Sequence, residues 1–398
     1  MPDAKFIPPQ QNALLVRLIQ SFFYLVAYVA FRFRLIVSEE DLAKAKLISD
    51  RRVVYLPNHS NLDDGMVVFQ LSARLGQLFY YVVAVEAFRG FVGKLIQKVG
   101  SYSIRRGVGD RRSIVQTLKI LQQPESKLVI FPEGGCSYQN DTVIPFRPGA
   151  VELSFKAMAN IAKQEQTVPD FYLVPVSLKY CYPNATASDV SKAIASLETA
   201  LKIKSEGDNY SRLRAIAQHI LSSLEAEYHV TPVPETDWNQ RLETLRQQML
   251  NYCEAKLELT AGNQLRDRER VYKVQATLRN LAESERDPLI DYEHIYLTTV
   301  RLLNFDAIYD GYVAENPTPE RFFATIDRFE REVFKIDQAK PKGIRKIVTI
   351  VGTPINLKDY WQEYQQQSDL LVERLIKIAQ QEVQSNLLQC QCSSIRNP

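Results

Sequence analysis

The chain has no excess of charge of either sign: across 398 residues, 49 lysines and arginines stand against 46 aspartates and glutamates, a formal net charge of +3. That balance removes the broad basic surface on which nucleic-acid binding rests, so no nucleic acid is expected as a partner and any basic patch is local. Cysteine is also scarce. Cys136, Cys181, Cys253, Cys390 and Cys392 are an odd number without metal-ligand spacing in the body of the chain, which fits free thiols in a reducing compartment. Cys390-Gln391-Cys392 is too tight for an ordinary structural disulfide. Of the four histidines, His219, His229 and His294 have no carboxylate or cysteine at ligand spacing, so no metal and no resident cofactor are expected. The first eleven residues hold one basic group, Lys5, which argues against a secretory signal.

What is present is a long chain, so a catalytic domain with additions is expected. Residues 1–11 are polar and contain Pro8-Pro9, the pattern of a loose arm. Ala13 to Phe33 is apolar and long enough to be mistaken for a membrane span. Arg17, Gln20, Ser21, Tyr24, Tyr28 and Arg32 nevertheless recur at spacings of three and four, a thin polar stripe on an apolar helix. This predicts an amphipathic helix in the membrane interface, with Arg32 and Arg34 toward anionic headgroups, and hence a membrane-associated protein on the cytoplasmic face. A core helix, a true span and a signal peptide are the alternatives, in that order.

From Val53 to Tyr180, β-rich runs alternate with helical ones, which predicts an α/β fold with a mixed, largely parallel sheet flanked by helices. The expected strands are Val53–Leu56, Phe79–Val85, Tyr102–Ile104, Lys127–Phe131 and Tyr172–Leu178, with a helix over Ser113–Leu121. Asn184 to about Lys340 turns to long helical patterns, with apolar stripes at Leu213, Ile216, Ile220, Leu224 and at Leu242, Leu245, Met249, Tyr252. Lys346–Ile355 then returns to strand character, so the helical block is expected as an insertion. The division predicted is 1–40 for the arm and interface helix, 41–183 for the α/β domain, 184–340 for the helical insertion, and 341–398 for a closing strand, helix and tail.

Chemistry concentrates in Tyr55-Leu56-Pro57-Asn58-His59-Ser60-Asn61-Leu62-Asp63-Asp64. A short buried-type strand ends at Pro57, Asn61 is a good helix cap, and Asp64 then falls at the third helical position with His59 in the loop ahead of it. A carboxylate there folds back on the imidazole, fixes its tautomer and leaves the other ring nitrogen to take a proton from a hydroxyl. His59 and Asp64 are therefore the candidate catalytic pair. Arg106 and Glu133, like His59, each follow a strand end, where ligands of α/β sheets usually bind. Gly134-Gly135 allows the chain to turn sharply and expose amides.

Four stretches resemble, in order and spacing, the glycerolipid acyltransferases: Asn58-His59 through Asp64, Gly100–Arg106, Ile130–Ser137 and Leu173–Ser177. The resemblance spans roughly Val53 to Tyr180. It implies transfer of a fatty acyl group from a thioester, on coenzyme A or acyl-carrier protein, to the hydroxyl of a lysophospholipid or glycerol phosphate, with membrane lipid as partner. It also implies substrate-binding roles for Arg106, Glu133 and Gly134. Where the family usually has threonine and arginine after Glu133-Gly134, this chain has Gly135 and Cys136, and Ser103 replaces an aromatic. Arg147, in Pro145-Phe146-Arg147-Pro148-Gly149, is the candidate replacement cation. The missing arginine motivates one alternative, an acyltransferase for a phosphate-free lipid acceptor; another is a catalytically weak lipid-binding or scaffolding protein whose helical insertion binds a partner, against which the intact His59 and Asp64 count.

Overall fold

The computed structural model describes residues 6–232, 237–260, 265–282, 284 and 286–392. Residues 1–5 of the expected arm and 393–398 of the expected tail lie outside them. The chain forms two compact units: one of Phe6–Arg105, Asp110–Pro183 and the segment from Gly343 onward, the other of Arg106–Gly109 and Asn184–Lys342.

The first unit is an α/β layer structure around one eight-stranded sheet, β1 (Phe33–Val37), β2 (Arg52–Pro57), β3 (Tyr80–Ala84), β4 (Ser101–Ile104), β5 (Lys127–Val129), β6 (Phe171–Cys181), β7 (Arg345–Val351) and β8 (Ile355–Asn356). The order is β1-β7-β6-β2-β5-β3-β4, with β8 beside β6. Strands β2 to β6 are mutually parallel, whereas β7 and β8 run antiparallel to β6 and β1 runs parallel to β7. The mixed, largely parallel sheet expected from the alternating pattern is therefore present. Central strand β2 is buried on both faces: Val53 and Tyr55 join one apolar core, Val54 and Leu56 the other. That is why its sequence reads as a continuous apolar run. Helices α1 (Ala13–Val29), α2 (Glu39–Lys46), α3 (Asp64–Leu75), α4 (Gly90–Lys98), α5 (Arg111–Gln122) and α6 (Gly149–Glu165) precede Asn184 in the chain.

Three expectations near the N-terminus are corrected. The arm is tied down from Phe6, since Ile7 exchanges bonds with Ser103 and the amides of Gln10 and Asn12 donate to the carbonyls of Gln97 and Lys98. Helix α1 ends at Val29, short of Phe33, which is the first residue of edge strand β1. Its apolar residues do not share one face: Val16, Phe23 and Ala27 are buried while Leu14, Phe22, Leu25 and Val29 are exposed, and polar Gln20 turns inward to Ser72 and the Gln77 carbonyl. No helix among the described residues is long and apolar enough to cross a membrane.

The second unit is helical: α7 (Ala187–Leu201), α8 (Asn209–Glu227), α9 (Trp238–Lys256), α10 (Asp267–Asn280), α11 (Tyr292–Phe305), α12 (Tyr312–Glu315) and α13 (Pro319–Phe334). Its helices are cross-linked by paired charges, among them Arg241–Glu225 at 2.7 Å, Arg270–Glu254 at 2.8 Å and Arg301–Glu332 at 3.0 Å. Back in the first unit, α14 (Trp361–Gln366) and α15 (Ser368–Gln389) follow β8. The reading of five free thiols is also corrected: Cys181, the last residue of β6, forms a disulfide with Cys392, leaving Cys136, Cys253 and Cys390 free.

Candidate active site

The site stands at the carboxyl ends of parallel strands β2, β5 and β6, joined there by the first residue of antiparallel β7. Past Pro57, the Asn58 side chain imitates one more peptide of the ladder. Its Oδ1 accepts from the Leu178 amide at 2.7 Å and its Nδ2 donates to the Leu178 carbonyl at 3.2 Å. The chain is thus held rigid up to the residue before His59. Asn61 then bends it, its Oδ1 accepting from the Asp63 amide at 3.0 Å and its carbonyl accepting from the Asp64 amide. Because Asn61 is used in this turn, the helix cap is Asp63 and Asp64 is the first helical residue, two positions earlier in the helix than expected.

The consequence for the dyad is unchanged. Asp64 Oδ2 lies 2.9 Å from His59 Nδ1 and accepts from the Asn61 amide at 2.8 Å. Asp64 Oδ1 accepts from the Tyr180 hydroxyl at 2.6 Å. The carboxylate is wholly buried, while the His59 side chain keeps 21 % of its surface exposed. A carboxylate can only accept, so Nδ1 carries the proton and the Nε2 lone pair is left to act as a base. The imidazole is also held by Phe131, whose ring centroid is 4.6 Å from that of His59.

Behind the dyad lies a second ion pair. Asp63 and Arg345 are both almost fully buried, and Arg345 Nη2 is 2.6 Å from Asp63 Oδ2. The same nitrogen donates to the Phe31 carbonyl, and the guanidinium sits 5.3 Å above the Tyr180 ring. Burial, then the nearby Asp64 carboxylate, holds the Tyr180 hydroxyl well above its ordinary range, so it stays protonated and donates. Tyr180, Asp63 and Arg345 escaped the sequence reading. The adjacent acids at 63 and 64 were the available signal, since two neighbouring carboxylates that point inward each need a donor.

The loop after β5 meets the dyad through Glu133. This carboxylate is 1 % exposed; Oε1 accepts from the His59 amide at 2.5 Å and Oε2 from the Ile144 amide at 3.1 Å. It therefore clamps the backbone of the base to the loop that carries Arg147. Ser137 adds a second clamp, its amide and hydroxyl both donating to the His59 carbonyl, at 2.7 and 3.1 Å. Helix α15 holds the loop from behind: Gln380 and Gln384 accept from the amides of Phe146 and Val143. Asn140 repeats the Asn58 device, bonding both backbone groups of Tyr180 at 2.7 Å.

Gly134 has φ +72°, and a Cβ on it would lie 2.5 Å from Arg147 Nε. Glycine is required both for the left-handed backbone and for the closeness of the guanidinium. The Gly134 amide donates to the Phe131 carbonyl. Cys136 is buried beside this turn and supplies no charge. His59, Asp64, Glu133, Gly134 and Arg147 are thus brought together in the first unit. Arg106 belongs to the helical unit, where its guanidinium lies 4.6 Å over the Tyr272 ring and its Nη1 donates to the Tyr272 hydroxyl at 3.2 Å.

No curated protein matches the chain. The family model described as Acyltransferase matches residues 35–179, a span that contains His59, Asp64, Glu133 and Arg147. That match, to the glycerolipid acyltransferase family, supports a lipid acyltransferase activity in general.

Proposed function

We propose that the protein transfers a fatty acyl group from an acyl thioester, on coenzyme A or acyl-carrier protein, to the hydroxyl of a lysophospholipid or glycerol phosphate in phospholipid biosynthesis. The observation that carries this reading is the 2.9 Å contact between His59 Nδ1 and a wholly buried Asp64. His59 Nε2 takes the proton of the acceptor hydroxyl, and the oxygen attacks the thioester carbonyl as the O–H bond breaks. The tetrahedral intermediate collapses with cleavage of the C–S bond, and the departing thiolate receives the proton from His59. No protein nucleophile is needed. The Gly134 amide is bonded to Phe131, so the Gly135 amide is the one assigned to the oxyanion.

Arg147, held against Gly134, is the cation assigned to the acceptor phosphate; Arg106 keeps that role by family resemblance alone. A lipid surface is the assigned location. The exposed row Leu14, Leu18, Phe22, Leu25 and Val29 on α1 has helical spacing and supports it, and vesicle sedimentation of the full chain checks it. Buried Cys136 in the place of the usual arginine favours a second reading, a lipid acceptor without phosphate.

Kinetics on paired acceptors separates the two. His59→Ala should abolish transfer to either acceptor. Arg147→Ala should raise KM for the phosphorylated acceptor alone, by the ~10- to 100-fold that a charged hydrogen bond is worth. Cys136→Arg should restore it. Equal losses on both acceptors would make Arg147 structural, and turnover confined to the phosphate-free acceptor would establish the second reading.

A further inference from the structure

The helical unit holds a half-open, largely apolar cleft among α8, α9, α11 and α13 and the 308–313 segment. Its origin is local. On α8 the inward row runs Leu213, Ala217, Ile220, Leu224, and the small Ala217 leaves room that a larger side chain would fill. The most buried part of the lining is aliphatic and soft: Leu224, Leu245, Met249 and Leu302, with Phe329, are each no more than 5 % exposed. The half-exposed part carries Tyr210, Arg214, Trp238 and Asp310. The lining is therefore apolar inside and polar where it meets water.

The charges of the lining narrow the ligand further. Arg214 pairs with Asp310 through two bonds of 2.6 and 3.2 Å and stacks on Trp238 at 4.3 Å. Arg246 pairs with Asp306 at 2.9 Å, and Arg301 with Glu332 at 3.0 Å. Each cation already faces a carboxylate, so an anionic head such as a phosphate would have to displace one. A fused polar ring would meet almost no hydrogen-bonding group at depth. A flexible hydrocarbon chain meets neither obstacle, and methionine and leucine walls adapt to it.

We propose that this cleft is a lipid site distinct from the His59 centre, and that it takes one long unbranched acyl or alkyl chain with an uncharged polar end at Trp238 and Asp310. Three sources supply such a chain, and only the first ends in an uncharged polar group: a monoacylglycerol or fatty alcohol, a lysophospholipid, and the acyl arm of a thioester. The matched charges select the first.

Titrating the full-length chain with C8 to C18 fatty alcohols, fatty acids, lysophosphatidylcholines and acyl-CoA, in the His59→Ala background as well as wild type, tests this. Affinity for the alcohols should rise roughly fourfold per methylene until the cleft is full, and should be the same in the His59→Ala protein. Ala217→Phe should abolish binding without changing the thermal midpoint. If the folded variant binds as before, the site is wrong. Should Ala217→Phe not fold, a diazirine-bearing fatty alcohol on the wild-type chain decides: labelled peptides from 210–249 and 302–329 support the site, and labels elsewhere overturn it. Preferential binding of acyl-CoA, lost in the His59→Ala protein, would show only the reaction centre and would likewise overturn it.

Discussion

The Tyr180 hydroxyl donates to Asp64 Oδ1 at 2.6 Å, across 116 residues of sequence, while the other oxygen of the same carboxylate faces His59. Tyr180 is a positioning residue: it touches the base only through Asp64. Tyr180→Phe keeps the ring against Arg345 and removes one of the three donors to the carboxylate. The expected result is a kcat about tenfold lower with KM unchanged, accompanied by a displaced pH–rate profile, because the carboxylate becomes a different partner for the imidazole. A loss confined to thermal stability, with the pH profile intact, would reduce Tyr180 to packing.

Asp64→Asn is the more severe change. Every group around this side chain is a donor, namely the Asn61 amide, the Tyr180 hydroxyl and His59 Nδ1. A carboxamide presents one oxygen and two N–H groups, so at least one donor meets another donor and the imidazole is pushed to the wrong tautomer. Acyl transfer should drop by at least ~10²-fold, read in a single-turnover assay under saturating acceptor.

The buried Asp63–Arg345 pair predicts an asymmetry in stability. Arg345→Met strands an unpaired carboxylate in the core and should cost about 3–5 kcal/mol. Removing both charges, with Asp63→Leu added, should recover most of the loss. Urea midpoints of the single and double variants measure it, and equal midpoints would show the pair is solvated.

Alkaline conditions should unfold the protein through its buried tyrosines. Burial pushes the hydroxyls of Tyr55, Tyr81 and Tyr102 well above the ordinary value, and burial with the Asp64 carboxylate does the same for Tyr180. Each keeps its proton when folded and loses it near pH 10 when unfolded, so the stabilisation is complete below about pH 10 and declines as pH rises toward the folded values. Above pH 10 stability should fall by up to ~1.4 kcal/mol per pH unit for each such tyrosine. Tyr55→Phe, whose hydroxyl makes only a 3.4 Å contact with Gln77, should flatten the decline at little cost at neutral pH. Urea titrations from pH 9 to 11 check both slopes.

How much of this lay in the sequence follows the range of the forces involved. Strands β2, β4 and β5, helix α5 and the approach of Asp64 to His59 were legible because each rests on neighbours within a few positions: an apolar run closed by Pro57, helical spacing from Ser113 to Leu121, and a turn between Asn58 and Asp64. The exact cap was not, because Asn61 could serve either as cap or as turn residue and the two differ by one hydrogen bond.

Tertiary structure alone decided the rest. That β1 is a strand depends on β7, some three hundred residues away, which pairs Phe33 with Arg345. The buried carboxylate of Glu133 holds two backbone amides, that of distant His59 and that of Ile144 further along its own loop. Tyr180 and Arg345 became parts of the site only when β6 and β7 placed them against Asp64 and Asp63 at the start of α3. Local patterning thus fixed which residues form the base and its carboxylate. Of the donors that hold that carboxylate still, the Asn61 amide is local, whereas the Tyr180 hydroxyl was chosen by strand order, since a buried charge takes its partners from whatever the fold brings within about 3 Å.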